Sequence, residues 1–151
     1  MEDRSFGMGG IVNMDNLSKF ESRVGKIRSN SKAVYTFLND MRNFKQFLPD
    51  GKVDNWHAEE ESCSFSVSPV GEAKLKIVDR DPDKQVKYEG NGLNNTNFWL
   101  WVQLKELSDK DTRVKITIKA DLNPMIKMMA SGPLKDFLEK LVKGMEGFTG
   151  W

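Results

Sequence analysis

Apolar and polar positions alternate with a period of two through the middle of this chain and shift to a helical period in its last quarter. Cys63, Phe65 and Val67 form one alternation, followed by Ala73, Leu75 and Ile77, by Val86 and Tyr88, and by Val114, Ile116, Ile118 and Ala120. Successive side chains of a strand point to opposite faces, so each set marks the buried face of a half-buried strand. Strands are predicted at roughly 52–58, 62–68, 72–80, 84–90, 97–107 and 112–122. The stretches EEE, SPVG, DPDK and GNGLNNTN separate them as turns. An earlier strand is read in LSKFESRVGKIRS, residues 17–29.

Between that strand and the others the period is helical. Asn30 or Ser31 can cap a helix whose Val34, Phe37 and Leu38 share one face. Asn39 and Asp40 interrupt it, and RNFKQFL reads as a second short helix closed by Pro49 and Gly51. Near the end, Leu134, Phe137, Leu138, Leu141, Met145 and Phe148 lie on one face of a long helix. Lys135, Asp136, Glu139, Lys140 and Lys143 face out. Gly132 and Pro133 are predicted to kink or restart this helix after a first piece bearing Met125, Met128 and Met129.

The order of elements is strand, two short helices, six strands, one long helix. A seven-stranded antiparallel sheet with one long amphipathic helix buries both apolar faces when the sheet curls around the helix. The fold class is therefore α+β, with the two short helices closing one end. A gap remains between helix and sheet. Phe65, Val67, Leu75, Ile77, Tyr88, Phe98, Leu100, Val102, Ile116 and Ile118 would line it from the sheet. Phe137 and Leu141 would do so from the long helix, Phe44 and Phe47 from the second short one, and Met125, Met128 and Met129 from the mouth.

The segment NFWLWVQL, residues 97–104, is apolar on both faces: Phe98, Leu100, Val102 and Leu104 on one, Trp99 and Trp101 on the other. If Leu107 paired with Thr112, both faces of this hairpin would mix apolar and charged residues. A one-residue shift, through a bulge or a different loop length, sets Leu104 opposite Val114 or Ile116 and makes one face wholly apolar. That register buries about a dozen more methylenes at ~0.8 kcal/mol each, so it is the one expected. It puts the tryptophans on the convex face beside Lys115, Thr117 and Lys119. There they either cover lysine stems or meet a partner surface, as in a homodimer, or the N-terminal arm through Phe6, Ile11 or Val12.

Composition narrows the function classes. The 151 residues suffice for one domain with a real core, expected over 17–148 between an arm at 1–16 and a tail at 149–151. With 23 basic against 22 acidic residues the net charge is +1, which disfavours nucleic acid as a partner. No run is long enough to span a bilayer, and the opening segment does not read as a signal peptide. A lone cysteine, Cys63, rules out an internal disulfide and suits a cytoplasmic location.

Candidate chemistry is sparse. His57 is the one histidine, HExxH and CxxC are absent, and no metal or cofactor is expected. Cys63 alternates with Phe65 and Val67 and so reads as a small buried hydrophobe. GNG at 90–92 is too short for a phosphate cradle, and DRDPD lacks the glycine and glutamate of a calcium loop. Arg23, Asn55 and Tyr88 are the polar groups that could reach the gap. No catalytic residue is assigned.

The element order, with FLNDMRNFKQFLPDGKV near the start and DTRVKITIKADLNP before the last helix, resembles the START/Bet v 1-like superfamily. The LND…F…FLP segment is similar to its polyketide cyclase-like and coenzyme Q-binding branch. KIVDRDPDKQVKYEGNG is similar to the branch typified by the G subunit of carbon monoxide dehydrogenase. The resemblance spans about residues 17–148 and implies a helix-grip fold with a cavity for a hydrophobic guest: a quinone, a lipid or a polyketide. Enzymes of that superfamily place acid–base residues in the cavity, and no motif here carries one over. The inward positions are apolar or aromatic, so the expectation is a binder or carrier. A cyclase or dehydrase using the same cavity, and an interaction module working through the convex face, are the alternatives.

Overall fold

In a computed structural model, residues 17–48, 51, 53–68, 71–92 and 95–151 are described. The N-terminal arm expected at 1–16, and Pro49, lie outside them. The strands are β1 (Ser18–Glu21), β2 (Gly25–Ile27), β3 (Val53–Ala58), β4 (Ser62–Val67), β5 (Gly71–Asp81), β6 (Gln85–Gly92), β7 (Thr96–Ser108) and β8 (Asp111–Ala120). The helices are α1 (Ser31–Leu38), a 3-10 helix at Met41–Phe47, and α2 (Pro124–Gly147). All strand pairs are antiparallel, in the order β1-β8-β7-β6-β5-β4-β3, with β2 also on β8. This is the helix-grip arrangement expected, with eight strands among the described residues where the alternation predicts seven.

The extra strand comes from a break in the first. Phe20 and Ser22 face in at even positions, whereas Gly25 and Ile27 face in at odd ones, so the chain slips by one residue while staying on β8. Ser22 holds the ladder across the slip: its N–H donates to Ile116 O at 2.8 Å, and its Oγ accepts from Ile116 N at 2.9 Å. The break turns Arg23 toward α2. There its guanidinium donates to Glu139 at 2.6 Å and to both carboxylate oxygens of Glu146 at 2.7 and 3.0 Å.

The β7–β8 register pairs Leu104 with Val114, Val102 with Ile116, Leu100 with Ile118 and Phe98 with Ala120. The device is a bulge between Glu106 and Ser108, which takes up Leu107 just before the turn. Trp99 and Trp101 therefore fall on the opposite face, across from Lys119 and Thr117.

Asn30 caps α1, accepting from Ala33 N at 2.8 Å, and Asn123 caps α2, accepting from Ile126 N at 2.9 Å. α2 runs as one helix through Pro133, so it does not restart there. The ring removes the N–H that the Met129 carbonyl would accept. Met129 and Gly132 are both exposed, so that carbonyl sits at a face open to water and the helix continues. Gly144 lets the 3-10 helix lie directly against α2, since a side chain there would strike the Phe47 backbone. Beyond α2, Phe148 and Trp151 join Phe37 and Phe47 in an aromatic cluster with centroid separations of 4.9–6.2 Å.

Candidate functional site

The concave face of the sheet and the middle of α2 do not close completely. Between them lies a cavity walled by Cys63, Phe65 and Val67 of β4, Ala73 and Leu75 of β5, Phe98 and Leu100 of β7 and Ile118 of β8. Leu134, Phe137 and Leu141 of α2 form the opposite wall, and Phe44, Leu48 and Trp56 complete it. Every surface it presents is apolar. Counted out to its mouth the empty space is about 550 Å³, but it is a narrow crevice in which only about 30 Å³ is wide enough for a water-sized body. The smaller figure describes what fits as the walls now stand. Sites for drug-sized ligands hold roughly 300–1,000 Å³, so a larger guest requires a wall to move.

Nine residues expected to line the gap do so: Phe44, Phe65, Val67, Leu75, Phe98, Leu100, Ile118, Phe137 and Leu141. Phe47, Ile77, Tyr88, Val102 and Ile116 are buried in the core and do not reach the cavity wall. Val102 and Ile116 form a cross-strand pair below Leu100 and Ile118, and Phe47 turns toward Gly144 and Trp151.

The methionines are a clear correction. Met125, Met128 and Met129 are 75%, 84% and 53% exposed and point away from the cavity. Because α2 is continuous, its inward stripe passes from Leu134 back to Ala130 and Ile126, which leaves the methionines on the outer face.

Two wall residues had weak sequence signals. Trp56 sits in β3 at an irregularity between Asp54 and His57, where Asn55 adopts a left-handed conformation (φ 55°). The extra residue turns Trp56 inward onto Phe65, with ring centroids 5.8 Å apart. Leu134 belongs to the helical stripe and lines the cavity from α2. A side chain on Gly90 would collide with the Phe98 ring.

The site is electrically quiet. Burial pushes the Cys63 thiol up to about 12, so it stays protonated at neutral pH and is a poor nucleophile. Burial likewise lifts the Tyr88 phenol above its ordinary value, reinforced by Cys63 and opposed by Arg80. Tyr88 Oη and Trp151 Nε1 are the buried side-chain polar atoms without a hydrogen-bond partner among the described residues. Arg23 stays outside, held by Glu139 and Glu146, and Asn55 and His57 are exposed. Among the described residues no three His, Cys, Asp or Glu side chains converge on a metal site. No helix among them is long and apolar enough to cross a membrane.

On the convex face, Trp99 and Trp101 are buried, at 2% and 5% exposure. Lys87 and Lys119 hold their ammonium groups 5.4 and 5.8 Å from the Trp101 ring centroid. As the structure stands, the indoles offer little surface to a partner.

Residues 25–146 match the sequence profile of CoxG, the G subunit of carbon monoxide dehydrogenase. The chain belongs to the CoxG family. Among solved structures this CoxG-family protein is similar to a conserved protein from Geobacillus kaustophilus, with a TM-score of 0.64 at 15% identity over 85% of this chain and 93% of that one. A START superfamily protein from Mycobacterium smegmatis matches with a TM-score of 0.60 at 11% identity, covering 85% of this chain and 94% of the other. Norcoclaurine synthase from Thalictrum flavum gives 0.60 at 13% identity, covering 89% and 90%. At these identities the likeness establishes the fold, START/Bet v 1-like, and nothing finer. A search of curated proteins by sequence returns no match.

Proposed function

We propose that this CoxG-family protein binds or carries a hydrophobic small molecule between the sheet and α2, as a cytoplasmic carrier. The carrying observation is the cavity lining: among the described residues it is wholly apolar and without a charged group, between the sheet and α2. Burying an apolar guest there gains roughly 25 cal/mol per Å² removed from water. A quinone, a lipid or a polyketide-like molecule meets that requirement. The family's name attaches it to a redox enzyme, which favours a quinone among the three. A cyclase or dehydrase would need an acid or base poised near neutral pH in the cavity. The buried Cys63 and Tyr88 are both shifted away from neutrality, which favours binding without chemistry.

The test is uptake of an apolar fluorescent probe by the full chain and by Leu100→Trp, whose indole would fill the cavity. The wild type should bind and enhance the probe, and a folded Leu100→Trp should not. Equal uptake by both would remove the cavity from the account. Native mass spectrometry of gently purified protein should then reveal the mass of any retained guest.

A further inference from the structure

Tyr88 stands at the centre of the sheet on the concave side, opposite Ile77 on β5 and Leu100 on β7, and is fully buried. Its hydroxyl hydrogen-bonds to nothing among the described residues. A phenylalanine would fill the same space without stranding a polar atom, and leaving a buried hydroxyl unpaired is a net cost to folding. Of its neighbours, Leu100 lines the cavity directly. Phe44, also a wall residue, lies edge-on to the Tyr88 ring at 5.7 Å and 76°. One aromatic ring, carried by the short 3-10 helix, thus stands beside both the apolar cavity and the residue that bears the orphan hydroxyl. The cavity is too narrow for a large guest as it stands, and displacing Phe44 widens it on the Tyr88 side.

We propose that the Tyr88 hydroxyl, behind the cavity wall as it stands, becomes the polar anchor of the cavity once Phe44 yields, and that the guest is an uncharged apolar molecule presenting an oxygen acceptor such as a carbonyl. This rests on the binding reading above and narrows it. A carboxylate or phosphate head is disfavoured because no cation among the described residues lines the cavity. Arg80, the guanidinium acting on this hydroxyl, is engaged elsewhere: it donates to Asn39 Oδ1 at 2.9 Å and faces Glu61 at 3.6 Å. A neutral phenol donates one hydrogen bond to a carbonyl oxygen, and the rest of the guest meets only hydrocarbon.

The experiment compares three shape-matched probes on the full chain: 2-acetylnaphthalene, 2-isopropylnaphthalene and 2-naphthoate. Affinities are measured for wild type and Tyr88→Phe. Tyr88→Phe should lower the ketone-to-hydrocarbon affinity ratio about fivefold to tenfold, the worth of one hydrogen bond. Affinity for the hydrocarbon should not change, and naphthoate should bind weakest to both proteins. In the wild type, the carbonyl stretch of the bound ketone should move to lower frequency than in hexane, a readout that needs no variant. An unchanged ratio with both neutral probes bound, or an unshifted carbonyl band, overturns the anchor and leaves the cavity reading intact. Failure of both neutral probes to bind the wild type overturns the cavity reading and the anchor with it. Tyr88→Phe should melt at the same temperature or higher without ligand. A lower one means the hydroxyl already has a partner, such as an enclosed water, and overturns the proposal.

Discussion

The ring of Phe98 lies over the bare backbone of Gly90, its cross-strand partner on β6. Phe98 is a cavity wall residue, so the missing side chain on one strand sets how far a ring on the next can lie back from the cavity. In Gly90→Ala the added methyl collides with the ring, which must swing toward α2. We expect a loss of about 1–3 kcal/mol in unfolding free energy, the usual cost of overpacking, together with weaker uptake of an apolar probe. Denaturant unfolding and probe titration on one preparation check both. Unchanged values in the two measurements would mean the ring has somewhere else to go.

Arg23 ties the break between β1 and β2 to the last turns of α2 through Glu139 and Glu146. The hydrogen bond from Arg23, helped by Lys26 N, holds the Glu146 carboxyl below its ordinary value. A group whose pKa is depressed by folding contributes stability that is complete above its unfolded value and is lost as pH falls through the folded one. Arg23→Ala should therefore cost stability at neutral pH. The difference from wild type should hold down to about pH 5 and shrink on further acidification. Side-chain exposures of 41% for Arg23 and 51% for Glu139 keep the cost near 0.5–1 kcal/mol. Thermal melts from pH 3 to 8 check it, and a difference that grows on acidification would contradict the assignment.

Trp101 gives an expectation about assembly. Its ring lies between Lys87 and Lys119 and is almost wholly buried. Replacing it with Thr should cost about 3 kcal/mol or more of stability, as large-to-small changes at buried sites do, and leave the oligomeric state unchanged. Light scattering beside denaturant unfolding separates this from an interface. A dimer that dissociates without loss of monomer stability would place a partner on the convex face instead.

Much of this was legible in the chain because period-two alternation survives wherever one face of a strand is buried. The alternation places Phe65, Leu75, Leu100 and Ile118 on the cavity side, and the β7–β8 register follows from keeping Leu104 opposite an apolar residue. What escaped were single-residue irregularities. The slip between Ser22 and Gly25 exchanges even for odd positions within three residues, too few to outvote the strand around them. The turn of Trp56 depends on one left-handed asparagine. Pro133 misled in the opposite direction. Reading it as a break hid the fact that the Leu134 stripe runs back through Ala130 to Ile126, and so put three methionines on the wrong face.

The same helix yields an expectation about how a guest enters. Between its Asn123 cap and Leu134, α2 is anchored by a buried Ala130 and a half-buried Ile126, while Met125, Met128 and Met129 face water. Pro133 deprives this part of one backbone hydrogen bond. From Phe137 to Met145, by contrast, five buried apolar side chains hold the helix to the sheet and the 3-10 helix. Weakly packed segments open locally at lower free energy than the core. Amides at 125–132 should therefore exchange faster than those at 137–145 in the free protein, and should slow when an apolar probe is bound. Pro133→Ala restores a donor and a better helix former, worth up to about 3 kcal/mol in a helix interior. It should slow exchange at 125–132 and, by stiffening the helix just before the wall residue Leu134, slow probe association in stopped flow. Uniform protection from 125 to 145 without ligand would mean that entry does not use this end of α2, leaving the 3-10 helix at Met41–Phe47 as the wall that yields.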